Sequence, residues 1–186
     1  MLDQSSDIVF HPIGLVKNGV RQAPKRPDWQ LGTVSELVVD RKWEEGLEGL
    51  EYFSHIIVLF WFDRITETDV ALRVHPMHRD DLPLTGLFAT RAPNRPNRIG
   101  ETVVSLIERK GNVLRVKGLD ALDGTPILDI KPYLRSGDLV HEATEPPWTA
   151  EDHVWSGLAI RGAKSPTRSE MRFLDCRLQR QPSATI

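Results

Sequence analysis

The chain has 186 residues and a mass of 21.1 kDa, with 24 basic against 26 acidic residues and a formal net charge of −2. That length suits one domain with a small appendage, and it can bury a core without disulfides or a structural metal. With 40% hydrophobic and 27% charged residues, the composition is that of an ordinary soluble globular chain and argues against disorder over most of its length. A single cysteine, Cys176, excludes an intrachain disulfide and a zinc site built on several thiolates, and points to a cytosolic context. The near balance of charge argues against coating nucleic acid by bulk electrostatics, but leaves room for a local basic patch. The longest apolar run, Ile56–Phe62, has seven residues, far short of the roughly 18 that a membrane-spanning helix needs. The opening MLDQSSDIVF carries acidic residues where a signal peptide carries basic ones. The expectation is a cytoplasmic protein with no membrane partner.

In chain order, the predicted elements are mostly strands. Ile8–Val16 (IVFHPIGLV) predicts an opening strand. Lys17–Gln30 (KNGVRQAPKRPDWQ) is polar and contains prolines, predicting a long loop of the kind that is often functional in a compact domain. Thr33–Val39 predicts a second strand. Trp43, Leu47, Leu50 and Phe53 recur at helical spacing and predict a short helix, weakened by two glycines. His55–Phe62 (HIIVLFWF) is almost wholly apolar and predicts a central strand buried on both faces. Arg64–Pro83 predicts an irregular excursion, and Leu87–Thr90 a short strand. Thr102–Glu108 and Asn112–Leu119 flank Arg109-Lys110-Gly111 and predict a hairpin. Ile127–Pro132 predicts a strand after the turn signal Asp123-Gly124. Val154–Ile160 predicts a last strand, Met171, Leu174 and Leu178 a short helix, and the final QPSATI a frayed end. No βαβ alternation and no GxGxxG after a strand are present, so a doubly wound nucleotide fold is unsupported. The prediction is a mainly β fold, a small single β-barrel with short helices and long loops.

Two stretches carry chemistry. Phe88–Gly100 (FATRAPNRPNRIG) sets Arg91, Arg95 and Arg98 among prolines and polar turn formers. Prolines lower the entropy cost of ordering such a loop, and guanidinium groups fork onto carboxylate or phosphate. Arg91–Lys117 holds seven basic residues against two glutamates, a local +5 inside a chain of −2. By itself this reads either as a solvated basic loop or as an anion site. In Gly118–Tyr133 (GLDALDGTPILDIKPY), Asp123-Gly124 is a turn with a mechanism: Asp123 can bond the backbone that follows it and Gly124 tolerates positive φ. Asp120, Asp123 and Asp129 read as turn and strand-edge residues, or as a divalent site that lacks EF-hand spacing. His75 and His78 make a weak metal pair, and His55 reads as a hydrogen-bonded structural histidine. No nucleophile elbow and no Walker loop are present.

Three segments together resemble the TrmO/YaeB-type family of S-adenosylmethionine-dependent tRNA N6-methyltransferases: GLEYFSHIIVLFWF from Gly49, FATRAPNRPNRIG from Phe88 and LDALDGTPILDIKPY from Leu119. Pro12-Ile-Gly14 and Arg21-Gln22 add to the match, which covers roughly residues 7 to 140 and is too long to arise readily by chance. The resemblance implies a β-barrel cofactor-binding domain over 1–140. The remaining 141–186 are expected to form a C-terminal extension packing on the barrel, short beside the larger C-terminal domain of many bacterial members. It further implies S-adenosyl-L-methionine as cofactor, a homodimer with the cofactor near the subunit interface, and methylation of threonylcarbamoyl-modified adenosine in tRNA.

The residue assignments implied by the resemblance are these. Val20, Arg21 and Gln22 stand where the family's first loop approaches the cofactor. Asp63 and Arg64 end the apolar strand at the next contact. Arg91 is the arginine of the A-T-R motif, and Glu101 follows the R-P-N-x-I-G turn. Ala121, Leu122, Asp123, Gly124 and Thr125 form the turn whose backbone lies against the cofactor. Asp123 and Asp129 are candidates for the base that takes the acceptor's proton, Tyr133 for orienting the acceptor, and Arg95, Arg98 and Lys131 for tRNA phosphates. No metal is implied. The sequence shows departures from the family's usual pattern: Arg98 replaces a proline, Glu101-Thr102 replace Leu-Ser, Asp63 replaces a histidine, Ala-Pro-Asn94 follows A-T-R, and the first loop holds Lys25-Arg26-Pro27 in place of an F-G-I-P-R-Q form. They keep open a small-molecule acceptor, or a non-catalytic module that binds the cofactor.

Overall fold

β-Branched and leucine-rich stretches form six strands whose alternate side chains point to one side. In this computed structural model, which describes residues 7–24, 29–66, 68–146 and 148–149, those strands close on themselves. They are β1 (Gly14–Lys17), β2 (Val34–Val39), β3 (His55–Trp61), β6 (Ile99–Lys110), β7 (Val113–Lys117) and β8 (Pro126–Pro132). Their order around the closed barrel is β1-β2-β7-β6-β3-β8, and every pairing is antiparallel. Between β3 and β6 lies a two-stranded ribbon of β4 (Arg73–Val74) and β5 (Thr85–Gly86). Two short helices, α1 (Trp29–Gly32) and α2 (Arg135–Asp138), complete the described elements apart from 3₁₀ turns. The chain divides into two compact units, Met1–Leu139 and Val140–Ile186. In the second, Thr149 donates its hydroxyl to the Pro146 carbonyl at 2.6 Å. The strand expected over 154–160 and the helix carrying Met171, Leu174 and Leu178 lie outside the described residues.

The barrel interior is filled by Val16, Leu37, Val39, Ile56, Val58, Phe60, Val104, Leu114, Val116 and Ile127, all buried. Each such side chain contributes about 1.5–3 kcal/mol by leaving water. A small barrel has one inward face per strand, and this corrects the expectation for β3. Ile56, Val58 and Phe60 are buried, whereas Ile57, Leu59 and Trp61 on the outer face are only half-buried. The opening strand is shorter than expected, because Pro12 has no N–H and pairing begins with Ile13 donating to the Ile127 carbonyl at 2.8 Å. Ile8, Val9 and Phe10 are exposed. The helix expected over 43–53 is two 3₁₀ turns, Arg41–Leu47 and Leu50–Tyr52, separated where Gly49 takes φ 88°. Leu87–Ala89 is likewise a 3₁₀ turn rather than a strand. Its end is held by Thr90, which donates its hydroxyl to the Leu87 carbonyl at 2.7 Å.

One glycine sets the packing at the mouth of β3. Gly100 pairs with Phe60, and a Cβ at position 100 would stand 2.4 Å from the Phe60 ring. The ring therefore occupies the volume that a side chain would need. Gly100→Ala should destabilise the barrel by about 1–3 kcal/mol through overpacking. Urea unfolding reads this directly. In a double-mutant cycle with Phe60→Leu, the two losses should be less than additive, and simple additivity would show that the ring contact is unimportant.

Candidate functional site

The barrel seam between β1 and β8 is only two residues of regular pairing long: Gly14 with Ile127 and Leu15 with Pro126. Beyond it the chain turns through Ala121–Thr125, and β1 runs on into Asn18-Gly19-Val20. The amide of Gly124 donates to the Val16 carbonyl at 2.8 Å, that of Asp123 to the Val20 carbonyl at 2.8 Å and that of Val16 to the Thr125 carbonyl at 3.0 Å. Gly124 has φ 85°, a conformation open to glycine at no steric cost. Thr125 is buried, and its amide closes the turn on the Leu122 carbonyl at 3.1 Å.

Side chains complete the seam. The Asp123 carboxylate accepts from the amides of Asn18 at 2.9 Å and Gly19 at 3.0 Å through one oxygen, Oδ1. Those amides, Gly19 first, hold its carboxyl below the ordinary carboxylate range against partial desolvation, helped by the charges of Arg21 and Arg64. Asn18, which no motif marks in the sequence, joins three segments. Its Nδ2 donates to the Ala121 carbonyl at 2.9 Å and to the hydroxyl of buried Ser35 at 3.1 Å, and its Oδ1 accepts from the Val20 amide at 3.0 Å. The signal available in sequence was Asn-Gly directly after an apolar strand. Arg64 then ties the far end of β3 to the same cluster, with Nη1 on the Arg21 carbonyl and Nη2 on the Asp123 carbonyl.

The structure thus brings together Val20, Arg21, Arg64 and the whole turn Ala121–Thr125. Gln22 and Asp63 are exposed neighbours of that cluster in sequence. Arg91 is exposed, and the hydrogen bonds of the described residues tie it to none of these groups. Glu101 is exposed on β6, opposite Leu59, whose other partner is Asp129 on β8. Asp129 and Lys131, two apart on β8, form an ion pair at 2.6 Å, and the Asp129 Oδ1 also accepts from the Ile130 amide at 2.9 Å. That pairing raises the Lys131 ammonium above its ordinary value. Tyr133 packs edge-on to His55 with centroids 6.4 Å apart, and His55 is bracketed by the hydroxyls of Ser54 at 2.9 Å and Ser105 at 3.2 Å.

The two arginines expected to meet phosphates bond inward. Arg95 Nη1 donates to the Thr90 carbonyl at 2.8 Å and weakly to that of Ala92 at 3.4 Å. Arg98 Nη1 donates to the Ile65 carbonyl. Among the described residues no group of three His, Cys, Asp or Glu side chains is placed to hold a metal ion. His75 Nδ1 is bonded to the Leu82 carbonyl at 2.8 Å. A hollow of about 540 Å³ lies on other strands, lined by Glu36, Glu108, Lys110, Val113 and Arg115. Its Glu108 is already paired with Arg115 at 2.5 Å and Lys110 at 2.9 Å, so it offers little uncompensated charge.

The Asp123 clamp has a measurable pH signature. Its folded carboxyl lies below the ordinary value of 3.8, so its stabilisation is complete above that value and is lost as pH falls through the lower folded value. Asp123→Asn keeps an acceptor oxygen and removes the titration. Urea unfolding between about pH 3 and 5 should show a shallower acid loss of stability than in the wild type. Parallel curves would show that the clamp carries no charge-dependent stability.

Comparison with known proteins agrees with this architecture. The tRNA-methyltransferase O N-terminal domain family matches residues 17–139. A probable S-adenosyl-L-methionine-binding protein of Archaeoglobus fulgidus is 46% identical over 139 residues, which are 73% of this chain and 37% of that protein. The human tRNA (adenine(37)-N6)-methyltransferase is 40% identical over 103 residues, 55% of this chain and 23% of that protein. The chain therefore spans well under half the length of these two relatives. A crystal structure of TrmO superposes with a TM-score of 0.62 at 30% identity, covering 94% of this chain and 77% of that one. With the six-stranded barrel and the seam between β1 and β8 in place, this chain belongs to the TrmO family, and its barrel is that family's N-terminal domain.

Proposed function

We propose that this protein is an S-adenosylmethionine-dependent methyltransferase whose acceptor is N6 of a threonylcarbamoyl-modified adenosine in tRNA. The observation that carries the reading is the convergence of loop 18–22, Arg64 and turn 121–125 on one seam of the barrel. Relatives named for S-adenosylmethionine binding and for tRNA adenine methylation support it.

The residues present fit the cofactor. Glycine at 124 leaves the turn without a side chain, and the nearest atom to a Cβ there would be Arg64 Nη2 at 3.9 Å, so a flat group can approach the backbone closely. The amides of Asp123, Gly124 and Thr125 are engaged within the protein. They set the shape of the turn rather than donate to a ligand. Arg64 and Asp123 have the same character: both hold the loops by bonds to backbone groups. Arg91 is exposed and is the guanidinium assigned to the cofactor carboxylate. Asp63 and Glu101 are the exposed carboxylates assigned to cationic or hydroxyl groups. When bound, the cofactor supplies an electrophilic methyl group on a sulfonium.

What remains for the protein is positioning and a proton acceptor, because methyl transfer is an in-line displacement. Asp123 is a poor base, since two amides stabilise its anion. Asp129, on the outer face of β8 and partly exposed, is the carboxylate assigned to the proton released by the acceptor nitrogen; its ion pair with Lys131 stabilises the anion too, so that pair must open for the proton to be accepted. One observation favours a smaller acceptor: Arg95, Arg98 and Lys131 all bond within the chain, which reduces the cations ready for phosphate.

Two measurements test this reading. Arg91→Ala should weaken S-adenosylmethionine binding by about 1.5–3 kcal/mol, roughly ten- to 150-fold, in titration calorimetry. Unchanged affinity would remove Arg91 from the site. Incubation of threonylcarbamoylated tRNA with isotopically labelled cofactor, followed by nucleoside mass spectrometry, should place the label on the modified adenosine. Intact cofactor binding with no labelled nucleoside would transfer the reading to the small-molecule acceptor.

A further inference from the structure

Phe88 is a large aromatic side chain with 74% of its surface exposed, which forgoes about 1.5–3 kcal/mol of burial. Its backbone is nevertheless fixed. The preceding Leu87 is buried, and its amide donates to the Leu72 carbonyl at 2.9 Å. Thr90 bonds back to the Leu87 carbonyl and also accepts from the Ala92 amide at 3.3 Å. Arg95, anchored on the Thr90 carbonyl, sets its guanidinium over the Phe88 ring, 5.7 Å from the centroid. Asn94 donates to the Asp69 carbonyl at 3.2 Å, and Pro93 and Pro96 stiffen the loop between. The backbone that carries the ring is thus anchored, with one face of the ring under a cation and most of its surface open.

Its surroundings indicate the occupant. Residues 84–98 hold three arginines and no acidic residue. Phe88 is three residues from Arg91, so their Cα atoms lie within about 11 Å of each other. An exposed aromatic ring on an anchored, positively charged loop is an arrangement that receives unpaired bases, because every base has a π-face and the adjoining phosphate is anionic. We propose that Phe88, backed by Arg95, is a stacking platform for an unpaired nucleobase of the RNA acceptor. The proposal rests on the tRNA reading above and names the protein group that would hold the acceptor beside the cofactor.

The test uses the full chain and two synthetic RNAs of equal length, an anticodon stem-loop and a blunt duplex, with binding measured by fluorescence anisotropy. The wild type should prefer the stem-loop. Phe88→Ala should weaken stem-loop binding roughly five- to 150-fold, while leaving duplex binding and calorimetric cofactor affinity unchanged. Phe88→Trp, which keeps a stacking surface, should restore the preference. Several results would overturn the platform: stem-loop affinity unchanged in Phe88→Ala, equal loss on both RNAs, or a cofactor affinity that falls in step. A change of oligomeric state in Phe88→Ala, seen by sedimentation, would reassign the ring to a contact between copies. Cofactor binding by the wild type with no binding of either RNA would overturn the tRNA reading itself, and the platform with it.

Discussion

Closure of the barrel through a four-residue strand is the constraint on which the rest depends. β1 pairs over its full length with β2 but over only two residues with β8. A closed antiparallel sheet has no free edge, so each backbone donor and acceptor along the seam needs a partner. Close approach of the strands helps: a Cβ at Gly14 would fall 2.4 Å from the Val38 carbonyl oxygen, so only glycine lets β1 lie so near β2. Where regular pairing between β1 and β8 stops, Asn18, Asp123 and Arg64 continue it with side chains. The candidate cofactor loops are the segments that this irregular seam holds.

The arginines show how the loops around the barrel are built without a core of their own. Arg64, Arg95 and Arg98 each direct a guanidinium at backbone carbonyls. A guanidinium has five donors in a rigid fork and can satisfy carbonyls on separate segments at once. Loops ordered in this way can stay near the surface, where ligands reach them, and still present fixed groups. Arg64 stays exposed in this use, whereas Arg95 and Arg98 are half-buried, so that Arg91 is the exposed guanidinium of the basic loop. For the RNA acceptor proposed above, this arrangement would draw affinity from shape and stacking more than from bulk charge, in keeping with a net charge of −2.

Much of the fold was legible because strand periodicity and turn chemistry are local. The hairpin of β6 and β7, the strand at 127–132 and the Asp123-Gly124 turn all follow from residues close together in sequence. The errors share a cause as well. HIIVLFWF reads as doubly buried, because apolar content alone does not say that a barrel offers a strand one inward face. Trp43, Leu47 and Leu50 have helical spacing, but Gly49 at φ 88° breaks the run into 3₁₀ turns that still bury Leu47 and Leu50. The motif-based assignments on the turn at 121–125 coincide with a joined cluster, whereas Arg95 and Arg98 donate to the backbone carbonyls of Thr90 and Ile65.

By itself the sequence determined the class of fold, the family pattern and the segments that matter, since these rest on local propensity and on long motifs. Only the tertiary structure decided what each polar side chain in those segments does. Asp123 and Asp129 are both aspartates in one short stretch. One accepts two amides across the seam, while the other pairs with Lys131 on an outer face. The partners that separate their roles are Asn18 and Gly19, more than a hundred residues away for Asp123, and a strand neighbour for Asp129. Hydrogen bonding depends on positions to within a fraction of an ångström, and only the closing of the barrel brings such distant groups to that distance.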